Sequence, residues 1–302
     1  MNHDRMSQLG ILVMTIVASG VMGPSSATAT TTLDTARIEA LTGAKGKLDE
    51  QEGAFKVSVP RTDLAVTAAG VRLTPAMGLT SWAAFKPAGQ HVMVMGDMVL
   101  LDDQVNPVMS VALDSGLEVT ALHNHFLWDS PQVMFMHIAG MGDEAELAGA
   151  VGKVLAKIRD TSGGRGTVPT AAIDPAKTSL TPEKIDAILG AKGDLKDGVF
   201  KVVIGRAATM DGTEIGGTMG VNTWAAFAGA DDAAVVDGDF AMRETELQGV
   251  LKALRGAGIN VVAIHQHMTG ESPRIMFLHY WGVGPTESLA KGLKAALATQ
   301  RD

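Results

Sequence analysis

The sequence predicts an α+β protein of two similar tandem domains, each an antiparallel sheet with a histidine-bearing hairpin packed by helices. The main observation is a repeat. HNHFLWDSPQVMFMHIAGMG at 123–142 returns as HQHMTGESPRIMFLHYWGVG at 265–284, and MGLTSWAAF at 77–85 returns as MGVNTWAAF at 219–227, at the same spacing of 142 residues. A unit of about 120 residues matches an independent small domain and is far longer than a solenoid repeat.

Composition supports two packed cores. The chain has 302 residues, of which 46% are hydrophobic and 19% are charged, as in globular proteins. The net charge is −8 and no basic run is present, which excludes a nucleic-acid partner and disfavours anionic membrane surfaces.

Each repeat is predicted to begin with a short helix. Asp34 caps the first, and Thr181 followed by Pro182 begins the second. Gly43 and Gly190 mark the ends of these helices, because glycine tolerates the left-handed conformation that commonly follows a helix.

Strands and two further helices follow in each repeat. Apolar and β-branched runs predict strands, namely AFKVSV, HVMVMGDMVL and LEVTALHNHF in the first copy and VFKVVI, AAVVDGDFAM and INVVAIHQHM in the second. Asp103 and Thr245 are expected to cap a helix before the histidine strand. A return strand and a final helix with apolar residues at helical spacing close each unit.

These patterns set the domain boundaries. Residues 1–29 resemble a signal peptide, with an apolar stretch of about 14 residues that is short for a membrane span, and small residues after it. A first repeat domain spans 33–158, a linker rich in Gly, Thr and Pro spans 159–180, and a second repeat domain spans 181–302. The expectation is an exported periplasmic or secreted protein with no membrane span after signal removal. The chain has no cysteine for disulfides or lipid attachment.

Three histidines and an acid recur in each hairpin. They are His123, His125, Asp129 and His137 in the first copy and His265, His267, Glu271 and His279 in the second. Residues two apart on a strand share a face, so each His-x-His pair is expected to grip one ion. A turn centred on 271–273 would place His279 roughly opposite His265, with the acid as a fourth ligand. Such a set suits Zn²⁺, Mn²⁺, Fe²⁺, Cu²⁺ or Ni²⁺.

Three functional classes remain open. One is a protein that binds a metal ion or a small ligand at each hairpin, with no organic cofactor. The second is a metal-dependent hydrolase in which Glu271 or Asp129 serves as general base. The third is a metal-free structural or interaction protein in which the histidines are hydrogen-bonded across a sheet. No prediction of the oligomeric state follows from the sequence.

Two other recurring features have alternative interpretations. Asp97 and Asp239 follow a glycine within apolar runs and are candidate ligands, although a Gly-Asp pair more simply indicates a bulge or turn. Trp82 and Trp224 of the WAAF segments are candidates for lining a pocket, although such residues are more often in the core.

Two family resemblances bear on the motif. HQHMTGE resembles the first metal motif of cupins, but the last histidine lies on the very next strand and helices intervene. The motifs GAKG, MGVNTWAAFAG, the Gly-Asp pair and AIHQHMTGESPRIMFLHYWGVG, with their first-copy partners, resemble the LppY/LpqO family of duplicated bacterial envelope proteins. That resemblance implies an envelope protein of two tandem copies and brings no substrate, cofactor or catalytic residue.

Overall fold

The computed structural model describes residues 32–163 and 168–300. The predicted signal peptide and residues 164–167 of the predicted linker lie outside the described residues. The helices in the described part of the chain are α1 (Thr35–Thr42), α2 (Asp102–Asp114), α3 (Glu144–Asp160), α4 (Pro182–Leu189), α5 (Leu247–Gly256) and α6 (Thr286–Leu297). None of these described helices is long and apolar enough to cross a membrane.

The strands follow the repeat closely. Those of the first copy are β1 (Gly46–Asp49), β2 (Ala54–Pro60), β3 (Thr67–Ala68), β4 (Val71–Arg72), β5 (Thr80–Ala88), β6 (His91–Leu101), β7 (Glu118–His123), β8 (Asp129–Ser130) and β9 (Val133–Gly142). Those of the second copy are β10 (Gly193–Lys196), β11 (Val199–Gly205), β12 (Ala208–Met210), β13 (Thr213–Ile215), β14 (Asn222–Gly229), β15 (Ala234–Arg243), β16 (Asn260–His265) and β17 (Ile275–Gly284).

Both copies build one continuous sheet. Its order is β1-β2-β5-β6-β9-β7-β16-β17-β15-β14-β11-β10, so that each repeat contributes six antiparallel strands and the repeats meet where β7 pairs with β16. The α+β class and the duplicated arrangement predicted from the sequence are confirmed. The sequence did not reveal that the two sheets join edge to edge.

The sheet has a helix-covered face and an open face. Side chains that alternate along the strands, such as Met98, Leu122 and Ile264, enter one large core with the helices. The residues between them point to the opposite face, because side chains alternate along a strand. There, two small clusters of buried residues, around Phe135 in the first repeat and Phe277 in the second, cover part of the sheet.

The seam between repeats is closed by side-chain amides. Asn106 donates to the Val261 carbonyl at 3.1 Å and accepts from the Val261 N–H at 2.8 Å. Gln248, which stands at the equivalent position of the second repeat, makes the same pair of bonds to Val119 at 2.9 and 3.0 Å. These amides replace a strand partner where the register of β7 with β9, and of β16 with β17, shifts.

The predicted caps of α2 and α5 are wrong. Helix α2 begins at Asp102, and Gln104 caps it by accepting from the Leu101 N–H at 3.0 Å. In the second repeat, a 3-10 turn at Glu244–Glu246 precedes α5, and Glu246 accepts from the Arg243 N–H at 2.8 Å. The side chain three residues into the turn therefore reaches back, so that neither Asp103 nor Thr245 is the cap.

Candidate metal centre

The histidine sets of both repeats lie on the open face of the same sheet. Leu122 and Ile264 face each other across the seam and point into the helix-side core. Their neighbours His123 and His265 therefore both point to the open face. The return strands β9 and β17, which carry His137 and His279, are three strand spacings, about 15 Å, apart, whereas His123 and His265 lie on the adjacent strands β7 and β16.

In the second repeat, three donor groups converge. The Nε2 atoms of His265 and His267 are 3.1 Å apart, and the His267 Nε2 lies 3.1 Å from Asp239 Oδ2. The His265 Nε2 lies 3.9 Å from the same oxygen. Ligand atoms held 2.0–2.1 Å from one ion at tetrahedral or octahedral angles are separated by about 2.9–3.4 Å, so two of the three separations have the size of a ligand edge.

The outer nitrogens of the rings are turned towards backbone carbonyls. His267 Nδ1 lies 3.3 Å from the Gly220 oxygen, and His279 Nδ1 lies 3.3 Å from the Gly238 oxygen. A histidine that donates its Nδ1–H to a carbonyl keeps a bare Nε2 lone pair, as metal-binding histidines do. In neutral His267 this lone pair faces the Asp239 carboxylate, and a cation between them removes the repulsion.

Burial shifts the pKa values of two groups in this cluster. Burial raises the pKa of Asp239, against the opposing influence of His279 and His267. Burial, followed by the proximity of His279 and His267, lowers the pKa of His265 to about 4. Asp239 Oδ1 and His265 Nδ1 are buried and have no hydrogen-bond partner. The ring of His279 stacks on that of His265 with centroids 4.6 Å apart, which keeps a third imidazole at the cluster.

The first repeat carries the same groups in a looser arrangement. His123 and His137 approach with their Nε2 atoms 3.1 Å apart, and the ring of His125 stacks on Phe135 with centroids 3.4 Å apart. Asp97 lies beside His137 on the next strand, and its Oδ1 is buried without a hydrogen-bond partner. Burial raises the pKa of Asp97, and the nearby histidines oppose that shift.

Asp129 and Glu271 support the hairpin tips. Asp129 Oδ2 accepts from the Val133 N–H at 2.8 Å, and Glu271 Oε1 accepts from the Ile275 N–H at 3.0 Å. Each carboxylate therefore holds the start of the return strand. The acid that joins histidines in the described second repeat is Asp239.

The structure corrects the predicted register of the hairpin. Strand β16 ends at His265, so His267 lies just beyond the strand, and the loop before β17 is longer than a tight turn. Phe277 is opposite His265, and His279 is opposite Ala263. His265 and His279 are consequently diagonal neighbours on one face, which still allows their rings to stack.

Two features of the open face differ from what the sequence most simply indicated. The Gly-Asp pairs form no bulge or turn, because Asp97 and Asp239 pair in regular register with Trp82 and Trp224 on one side and with His137 and His279 on the other. The tryptophans are half-buried on the open face rather than in the core. The signal that could have identified Asp97 and Asp239 as site residues is an acidic side chain at an alternating position within an otherwise apolar strand.

Comparison with known proteins adds a family. Residues 36–157 and 183–299 match the profile of the family described as Domain of Unknown Function (DUF1259). No curated protein matches the chain. Among solved structures, a trimeric bacterial microcompartment shell protein, PduB, is 12% identical over 84% of this chain and 89% of that chain, with a TM-score of 0.20. A likeness this weak carries no argument.

Proposed function

The chain belongs to the DUF1259 family, of which it carries two tandem copies, and we propose that it binds one divalent transition-metal ion at each repeat. The ligands are His265, His267, His279 and Asp239 in the second repeat. Those of the first repeat are His123, His125, His137 and Asp97. The donor set of imidazoles and one carboxylate suits Zn²⁺, Mn²⁺, Fe²⁺, Cu²⁺ or Ni²⁺.

The observation that carries the proposal is the convergence at Asp239. A buried carboxylate and two imidazole nitrogens point at one another, and the outer nitrogen of His267 faces a carbonyl. A metal-free role for the histidines would instead call for each buried polar atom to find a hydrogen-bond partner. Asp239 Oδ1 and His265 Nδ1 have none.

A binding role is favoured over a hydrolase. Both candidate bases, Asp129 and Glu271, already accept a backbone N–H at the start of the return strand. Each keeps a second carboxylate oxygen, but a base must lie beside the bound water, and neither carboxylate belongs to the group of donors that converges at Asp239. We also propose that the chain is exported through residues 1–29 and is one of the duplicated envelope proteins of LppY/LpqO type, on the strength of the motifs shared by both copies.

The test is the metal content of protein purified without a histidine tag, with stoichiometry measured by plasma mass spectrometry after reloading. We expect up to two equivalents per chain. Asp239→Asn should remove one of them, whereas Asp237→Asn, an exposed position two residues earlier on the same strand, should remove none. Protein that holds no metal, and whose melting temperature ignores added Zn²⁺, Mn²⁺ or Ni²⁺, would contradict the proposal.

A further inference from the structure

A groove on the open face runs up to the first-repeat site. It has a volume of about 470 Å³, and we call it the open-face groove. Its central residues are Lys56, Trp82, Ala84, Lys86, Met93 and Met95. Trp82 pairs directly with Asp97, and Lys56 is near enough to influence the charge of Asp97. Met95 precedes Asp97 by two residues on the same face of β6, a separation of about 7 Å.

The groove joins an apolar floor to two cations. Met93 and Met95 are 37% and 56% exposed, which is unusual for adjacent apolar side chains on one face unless something binds there. Lys56 is opposite Ala84, and Lys86 lies two residues further along β5, so the two lysines are diagonal neighbours. The ammonium of Lys56 is held 4.1 Å above the Trp82 ring. Both lysines can therefore reach a single anionic group.

The groove also contains two carboxylates, which lie at its far end. Asp49 ends β1 and accepts from the backbone N–H groups of Gln51 and Glu52 at 3.0 Å. Its charge is therefore partly engaged by the turn. Glu52 is exposed in that same turn, and neither carboxylate forms an ion pair with Lys56 or Lys86 in the described structure.

The second repeat keeps one lysine and loses the rest of the groove. Lys201 lies 4.2 Å above Trp224, as Lys56 does above Trp82. Ala228 stands where Lys86 would be, and Asp237 where Met95 would be. Ala228 is buried. The segment between the repeats lies next to it, because the Gly229 N–H donates to Thr178 Oγ1 at 3.1 Å.

We infer that the open-face groove binds an organic anion with an apolar, aromatic body, its acid group held by Lys56 and Lys86 and its body lying on Met93 and Met95. The inference rests on the proposed function in one respect: a second donor group on such a ligand would reach the ion at Asp97 and His137. The groove itself needs no ion.

The experiment is isothermal titration of the metal-free full chain with 1-naphthoate. We expect a Kd of about 1 mM or lower, and about tenfold weaker binding in Lys86→Ala and in Lys56→Ala, since each removes one charge-assisted contact. Lys201→Ala is the matched control and should bind as the parent does. The neutral 1-naphthamide should bind more weakly than the acid. Absence of binding, or equal loss in Lys56→Ala and Lys201→Ala, overturns the inference.

A second probe separates this inference from the proposed function. Naphthalene-2,6-dicarboxylate carries a second acid at the far end of the same ring system, and it should gain about tenfold in affinity when the chain is loaded with Zn²⁺. Naphthoate binding in a chain that takes up no metal would overturn the metal proposal and support the groove. Metal binding without lysine-dependent naphthoate binding would support the metal proposal and overturn the inference about the groove. All three lysines are exposed, and circular dichroism will show that the variants fold.

Discussion

The two repeats present the same donor groups, but within the described residues only the second brings three of them close together. In the second, Asp239, His265 and His267 each offer a ligand atom within 4.8 Å of the others. In the first, His123 and His137 meet, while no three donor groups among residues 32–163 come that close. Both sites are built on equivalent strands. The difference shows that the sheet fixes where the donors stand, and that the loop histidine decides how far the site is preformed.

The largest effect is expected from removing the loop histidine of the preformed site. His267→Ala should weaken metal binding at the second site by at least about a hundredfold, since even losing a supporting group around a ligand costs 10–100-fold. The first site, whose donor groups all belong to the other repeat, should be unaffected. His125→Ala is the mirror-image control and should act on the first site alone. Competition with a chromophoric chelator measures both sites.

The difference between the two sites also predicts the order in which they fill. In wild type the second site should fill first, because its donors already converge and less ordering is needed on binding. Equal affinities, or loss of both sites in either variant, would mean that the two sets form one shared site. A large loss of stability in the metal-free variants would mean that the histidines are packing residues.

The next effect concerns the seam that joins the repeats. Asn106→Ala and Gln248→Ala each delete two hydrogen bonds to the backbone across the seam. We expect each to lower the free energy of unfolding by about 1 to 3 kcal/mol. Because the two amides make equivalent contacts, the losses should be similar. Urea unfolding measures them, and an unchanged midpoint in either variant would show that the seam does not depend on that amide.

The third effect is expected from acid in the metal-free protein. The folded chain holds the pKa of His265 at about 4, against 6.5 in the absence of the fold. Between pH 6.5 and pH 4, His265 is protonated in the unfolded chain but neutral in the folded chain. The free energy of unfolding therefore falls as the pH falls from 6.5 towards 4. Below that window the loss stops growing.

Substitution isolates this contribution. His265→Gln should flatten the fall in melting temperature between pH 6.5 and pH 4, whereas His91→Gln, at an exposed strand end, should leave it unchanged. Asp239 has a raised pKa and opposes the effect, and the difference between wild type and variant removes its contribution. Parallel curves for wild type and His265→Gln would contradict the prediction.

The smallest effect tests a bond that one repeat has and the other lacks. The buried Tyr280 hydroxyl donates to the Trp224 carbonyl at 2.8 Å, whereas Ile138 stands at the equivalent place in the first repeat. Tyr280→Phe should cost about 1 kcal/mol of stability and leave metal binding intact. A change in second-site affinity would show that Tyr280 positions β14 or β15 for the ligand Asp239.

The sequence by itself determined the repeat, the α+β class and the six histidines. These follow from local patterns: alternation marks strands, and a duplicated motif marks equivalent places. Apolar alternation also predicted the strands that contain Asp97 and Asp239, but the Gly-Asp pairs were interpreted most simply as bulges or turns, and nothing in the sequence indicated which neighbouring strand each aspartate would pair with.

Tertiary structure alone decided the rest. Pairing across β6, β9 and β7, and across β15, β17 and β16, brings each aspartate beside its histidines, which are about 26 to 40 residues away in the chain. The edge-to-edge joining of β7 with β16 puts both sites on one face. Such contacts depend on register and strand order, which hydrogen bonds between distant segments set and which no single segment encodes.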